Sequence, residues 1–217
     1  MRAEPTTDSH AVSQMIRLFI ALPLPFDIRA RLAGLAGGVP GARWVEAEDL
    51  HLTLRFIGEV DEGRLPDLDA ELIRIEPPDF SLVLDGCGQF GTGRKIHTLW
   101  IGAERNEALS RLQAKIEAAV IRAGFPPEPR KFSAHVTLAR LKDANPERLT
   151  RFLAGNGLFR SAPVPVTGFA LYQSHLGHGG ARYQKIQAYP HEDGEEEGLP
   201  IMPGFDPEET EGHLWKV

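Results

Sequence analysis

Apolar positions along the chain recur with two different periods, and the switches between them mark out the elements. Met15 to Leu22 (MIRLFIAL) is an apolar run stopped by Pro23 and Pro25, which predicts a strand. Phe26 to Ala36 reads as a helix ended by Gly37-Gly38, and Trp44-Val45 as a short strand. His51 to Ile57 alternates apolar and polar residues and is predicted to close at Gly58. Arg64 to Ile75 follows as a helix stopped by Pro77-Pro78, and Phe80 to Leu84 as a strand whose alternation runs on towards Phe90.

The pattern then begins again. His97 to Ile101 reads as a strand, and Asn106 to Ala123 is the strongest helix, with Leu109, Leu112, Ile116, Ala119 and Val120 on one face. Pro126, Pro127 and Pro129 impose an extended loop before a strand over Ala134 to Leu141. Pro146 to Leu153 is a short helix that starts after Asn145, with proline suited to its first turn. Two further strands, Pro163 to Tyr172 and Arg182 to Tyr189, are separated by a glycine-rich stretch, Ser174 to Gly180, that reads as a turn.

Both rounds run strand, helix, strand, helix, strand, and the middle strand of each carries the same word. His51-Leu52-Thr53-Leu54 and His135-Val136-Thr137-Leu138 lie 84 residues apart (135 − 51). Two copies indicate a duplicated architecture and not a solenoid. In a strand, His and Thr two apart share one face while the residues between them point into the core. Halves related by a pseudo-twofold axis would bring both pairs to one cleft. That gives a general base, a general acid and two hydrogen-bond donors, the set needed to cleave a phosphodiester without a metal. An ordinary imidazole pKa of about 6.5 lets one histidine be neutral and the other protonated near neutral pH.

At 217 residues the chain can bury one substantial core or two small lobes sharing an interface. With 42% hydrophobic and 25% charged residues it has the make-up of a soluble globular protein. The net charge of −6 gives no general attraction to nucleic acid or anionic membrane, so positive charge for a phosphate must be local to a cleft. Cys87 is the sole cysteine, which rules out an internal disulfide and suits a reducing cytoplasm. No secretory leader pattern and no apolar run near the ~20 residues of a membrane span is present, so a cytoplasmic protein without membrane contact is expected. Residues 1–14 are expected to be a loose extension, 15–190 a single domain, and 191–217 an acidic tail broken by Gly and Pro, with Leu214, Trp215 and Val217 able to dock on a surface.

Each candidate has a bland alternative. One His-x-Thr in a strand signifies little; two copies in corresponding elements carry the inference. A zinc site is disfavoured because two histidines are too few and neither strand offers an Asp or Glu at same-face spacing. Arg55 shares strand parity with His51 and could reach a phosphate, though a solvated arginine is the simpler expectation. Phe56 and Arg140 occupy the same place, five residues after each histidine. That odd spacing turns both to the core face unless the strand bulges. A buried Phe56 is therefore expected, whereas Arg140 is a poor core residue and suits a strand end reaching into the cleft. His175 and His178 read as loop residues, and His10, His97, His191 and His213 fit no pattern.

The motifs together resemble the 2H phosphoesterase superfamily, in its RNA 2′,3′-cyclic phosphodiesterase branch, historically called 2′-5′ RNA ligase. The resemblance rests on Arg17 to Leu22, Trp44-Val45, Asp49 to Gly58, Phe132 to Arg140, Leu171 to Ser174 and Gly180 to Tyr183, and spans about Ile16 to Pro190. Neither the extension before Met15 nor the tail inherits a role, and Gly91 to His97 matches no family pattern. The resemblance implies an α+β, bilobal fold whose two pseudo-symmetric halves line a central cleft with antiparallel sheets. It implies hydrolysis of RNA-terminal 2′,3′-cyclic phosphate to a 2′-phosphate, with no cofactor and RNA or oligonucleotide ends as partners; a monomer is expected. By position His51 would be the proton donor and His135 the proton acceptor; Thr53 and Thr137 would hold the phosphate. Arg140 would contact it too, with Phe56 beside the base. The alternatives are a 2′-5′ RNA ligase, a phosphodiesterase on 2′-5′-linked or small cyclic nucleotides, and an RNA-end binding module without turnover.

Overall fold

The computed structural model describes residues 14–76, 78–177 and 180–190, so the expected tail and nearly all of the expected N-terminal extension lie outside the described residues, as do His10, His178, His191 and His213. The first round contains β1 (Met15–Pro23), α1 (Phe26–Ala33), β2 (Ala42–Trp44), β3 (His51–Asp61), α2 (Leu65–Leu72), β4 (Phe80–Leu82) and β5 (Leu84–Phe90). The second contains β6 (Thr98–Ala103), α3 (Glu107–Arg122), β7 (His135–Leu141), α4 (Pro146–Asn156), β8 (Val164–Val166), β9 (Phe169–Gly177) and β10 (Gly180–Tyr189).

Local chemistry sets the helix starts. The Asn106 side chain accepts from the Leu109 N–H at 3.0 Å, capping α3. Asn145 accepts from the N–H groups of Glu147 and Arg148 at 3.0 and 3.1 Å, with Pro146 opening α4. The predicted apolar face of α3 is buried in full. It packs into the same core as Leu52 and Leu54 of β3 and Val136 and Leu138 of β7. The helices therefore cover the face of the sheet opposite His51 and His135.

All strand pairs are antiparallel, in the order β10-β9-β1-β3-β7-β6-β5, with β2 paired to β7 and a small separate sheet of β4 and β8. The halves interlock: β5 ends the first round but pairs with β6, and β9 belongs to the second but pairs with β1. At the junction β3 and β7 share one residue pair, Leu52 with Val136. Beyond it the edge of β7 is taken by β2, where Trp44 faces Ala139 and Arg43 faces Arg140.

Several boundaries differ from expectation. Gly58 does not close the first motif strand; β3 continues to Asp61 through a bulge opposite Leu18 and Phe19, which Gly58 permits with φ 96°. Ser174 to Gly177 is strand and not turn, because β9 and β10 pair as far as Gly177 with Gly180. His175 accordingly sits in β9 and shares a hydrogen bond of 3.2 Å with Gln184 of β10. The helices α1 and α2 are shorter than their apolar patterns, each spanning eight residues.

Candidate active site

The two motif strands carry the same irregularity one residue after the threonine. Ala21 faces Thr53 and Ile20 faces Arg55, so Leu54 is the extra residue of a bulge in β3. Trp100 faces Thr137 and Leu99 faces Ala139, so Leu138 is its counterpart in β7. Burial follows the break: Leu54 and Arg55 are buried in succession, and so are Leu138 and Ala139. An extra residue reverses strand parity. Phe56 and Arg140, five residues after their histidines, thus return to the cleft face and line it. The buried Phe56 expected from parity is overturned by the bulge; the ring is 36% exposed. Arg55 neither reaches the cleft nor stands in solvent. It is 5% exposed and pairs with Glu117 at 2.5 Å and Glu128 at 3.5 Å on the far side of β3.

Both imidazoles are anchored alike. His51 Nδ1–H donates to the carbonyl of Asp49 at 2.7 Å, and His135 Nδ1–H to the carbonyl of Ser133 at 2.7 Å. That fixes the tautomer, leaving each Nε2 as a hydrogen-bond acceptor. The Thr53 hydroxyl donates to His51 Nε2 at 3.1 Å. Extending the Leu52–Val136 register by one residue sets His51 against Thr137 and Thr53 against His135. That pairing sets His51 and His135 on the same face of the sheet, one on each side of the junction.

Aromatic rings hold the imidazoles. Phe19 lies 4.8 Å from the His51 ring and Tyr183 stands edge-on at 4.9 Å. Phe90 meets His135 edge-on at 4.8 Å, and Trp100 is stacked over Gly88, where a Cβ would come within 2.2 Å of the indole. Burial pushes His51 down to about 4, opposed by the bond to the Asp49 carbonyl and the Asp49 charge, and reinforced by the His135 and Arg140 charges. His135 is also lowered, first by burial and then by Arg140, against its bond to Ser133.

The cleft has a volume of about 390 Å³ and is lined by His51, Thr53, Phe56, Thr137 and Arg140 of the expected set. His135 is not part of that lining, but its charge acts on His51 across the junction. Arg17, Arg43 and Arg182 also line it, so four arginines face two carboxylates, Glu46 and Asp49, in a protein of net charge −6. The positive charge is local, as the composition required. Arg140 donates to the fully buried Thr98 hydroxyl at 2.8 Å, and Arg17 lies over the Phe56 ring at 5.5 Å. Sequence reasoning assigned no role to Arg43, Asp49, Thr98 or Tyr183. Asp49 and Tyr183 stand at the ends of quoted motifs and Arg43 and Thr98 outside them, and all four are joined to the site only by the fold. Among the described residues no three His, Cys, Asp or Glu side chains are grouped to hold a metal ion, and no helix is long and apolar enough to cross a membrane.

A profile of the family described as LigT like Phosphoesterase matches the chain twice, over residues 22–100 and 101–183. The RNA 2′,3′-cyclic phosphodiesterase of Archaeoglobus fulgidus is 30% identical over 179 residues, spanning 80% of this chain and 99% of that protein. The protein of the same name from Escherichia coli K12 is 34% identical over 182 residues, spanning 82% and 98%. Among solved structures, E. coli LigT complexed with 3′-AMP matches with a TM-score of 0.65 at 30% identity, covering 81% of this chain and 98% of that one. The double match falls on the duplication that the strand order and the paired bulges display. The chain belongs to the LigT-like phosphoesterase family of 2H phosphoesterases.

Proposed function

We propose that the protein hydrolyses 2′,3′-cyclic phosphate at RNA ends to a 2′-phosphate, by acid–base catalysis from His51 and His135 without a metal. The carrying observation is the matched anchoring of the two imidazoles, each with Nδ1–H on a carbonyl two residues upstream and Nε2 left for chemistry. The names of the E. coli and A. fulgidus relatives support the reaction class.

In this mechanism His135 Nε2 takes a proton from water as its oxygen attacks phosphorus in line with the 3′-oxygen. The P–O3′ bond breaks, and the 3′-oxygen takes the proton from His51 Nε2. The product carries a 3′-hydroxyl and a 2′-phosphate, and solvent returns the two histidines to their starting protonation. Thr53, Thr137 and Arg140 donate hydrogen bonds to the non-bridging oxygens as charge gathers there. Phe56, with Arg17 over its ring, offers a flat surface for the terminal base.

Burial holds both imidazoles neutral near pH 7 in the protein alone. A phosphodiester anion between them favours the protonated form of each, so the acid is formed as substrate binds. The test is product analysis with a cyclic-ended oligonucleotide in EDTA. The expected product has its phosphoryl group on the 2′-oxygen; a 3′-phosphate, joined strands, or activity that returns only with added metal would overturn the proposal.

A further inference from the structure

The two anchoring carbonyls belong to different residues. Asp49 supplies the one on His51 and Ser133 the one on His135. The Asp49 carboxylate is 7% exposed and held from β10, where the Tyr183 N–H donates to Oδ1 at 3.1 Å and Arg182 Nη1 to Oδ2 at 3.2 Å. Tyr183 in turn sets its ring edge-on to His51. One aspartate therefore grips the catalytic imidazole by its main chain and the β9–β10 hairpin by its side chain. The second half has no carboxylate at the matching place.

We propose that Asp49 is a positioning residue for His51: its side chain, tied to β10, fixes the main-chain carbonyl that orients the imidazole, and its buried negative charge favours the protonated form that serves as proton donor. This rests on the proposed function above.

Burial is the largest influence on His51 and lowers it, and Asp49 works against that burial. From β7, the His135 and Arg140 charges disfavour an imidazolium at His51, while Asp49 favours it. Arg140 acts on His135 with no carboxylate among the described residues opposing it. On the cleft wall Arg17 comes from β1 and Arg43 from β2, with Glu46 following β2; Tyr172 stacks from β9 at 6.2 Å. A bound phosphate acts on both histidines, so its charge raises both and separates neither. Asp49 acts on one. Arg182 offsets the carboxylate only in part, because its side chain is 67% exposed and screened by water.

Asp49→Asn keeps an oxygen to accept from the Tyr183 N–H and removes the charge. Without it the His51 imidazolium loses a stabilising neighbour and deprotonates at lower pH. The basic limb of kcat against pH then moves down by about one unit, roughly tenfold in rate above that limb, while kcat on the acid side and KM change little. Arg182→Gln removes the offsetting cation and should move the same limb upward; it stands in if Asp49→Asn does not fold. A uniform fall in kcat at all pH values, or a limb unmoved in both variants, would overturn the role of Asp49. His51→Gln separates the two levels: full turnover on cyclic-ended RNA in that variant refutes the proposed function itself. A dead His51→Gln with unmoved limbs in the other two refutes only the assignment to Asp49.

Discussion

At the step after the threonine, β3 and β7 make the same bulge and deliver different side chains. In the first half the bulge buries Arg55 and turns Phe56 to the cleft; in the second it buries Ala139 and turns Arg140 there. The backbone device is duplicated, and the residues on it have diverged into an apolar surface on one side and a guanidinium on the other. The difference reaches the far side of the sheet. Ala139 packs in an apolar core, whereas Arg55 binds Glu117 of α3, Glu128 and the Pro126 carbonyl in the proline-rich loop. A duplicated frame can thus be supported by unlike interiors.

The sharpest way to break this comparison is to remove the charge from the first interior. Arg55→Ala leaves two partly buried carboxylates without their cation and is expected to lower stability by about 3 kcal/mol, read from denaturant midpoints. An effect below about 0.5 kcal/mol would mean that the ion pairs are solvated. Next, Arg140→Gln should reduce kcat/KM about 100-fold, since in the proposed mechanism the side chain meets charge that develops at phosphorus. Smallest is Phe56→Ala. It should raise KM less than tenfold with kcat nearly kept, in line with stacking worth about 1 kcal/mol on a base. Equal losses in kcat from the Phe56 and Arg140 variants would contradict the division of labour between the halves.

The features that were legible in the sequence are the ones carried by local periodicity or repetition. The α3 face could be read because five apolar positions keep helical spacing within a helix of sixteen residues. The His-x-Thr pairs could be read because the word occurs twice in matching elements. The bulges could not. In β7 the broken alternation shows as Leu138-Ala139, but in β3 it is hidden, because Arg55 looks like an outward residue until its buried carboxylate partners are known. Strand parity therefore misplaced Phe56. Asp49 lay still further from view, since its side chain is held by the Tyr183 N–H, 134 residues along the chain. The local fold was written in short windows; the tuning of the site lies in contacts between distant ones.

The central claim is that one imidazole from each half serves a single phosphoryl group, His51 giving a proton to the 3′-oxygen and His135 taking one from water. A cyclic substrate with sulfur in place of the bridging 3′-oxygen tests this directly, because a thiolate leaves without a proton. On the oxygen substrate His51→Ala and His135→Ala should each lose about 10² to 10⁴ in rate. On the sulfur substrate His51→Ala should regain most of its loss while His135→Ala stays slow. Recovery of His135→Ala instead, or of neither variant, would contradict the account.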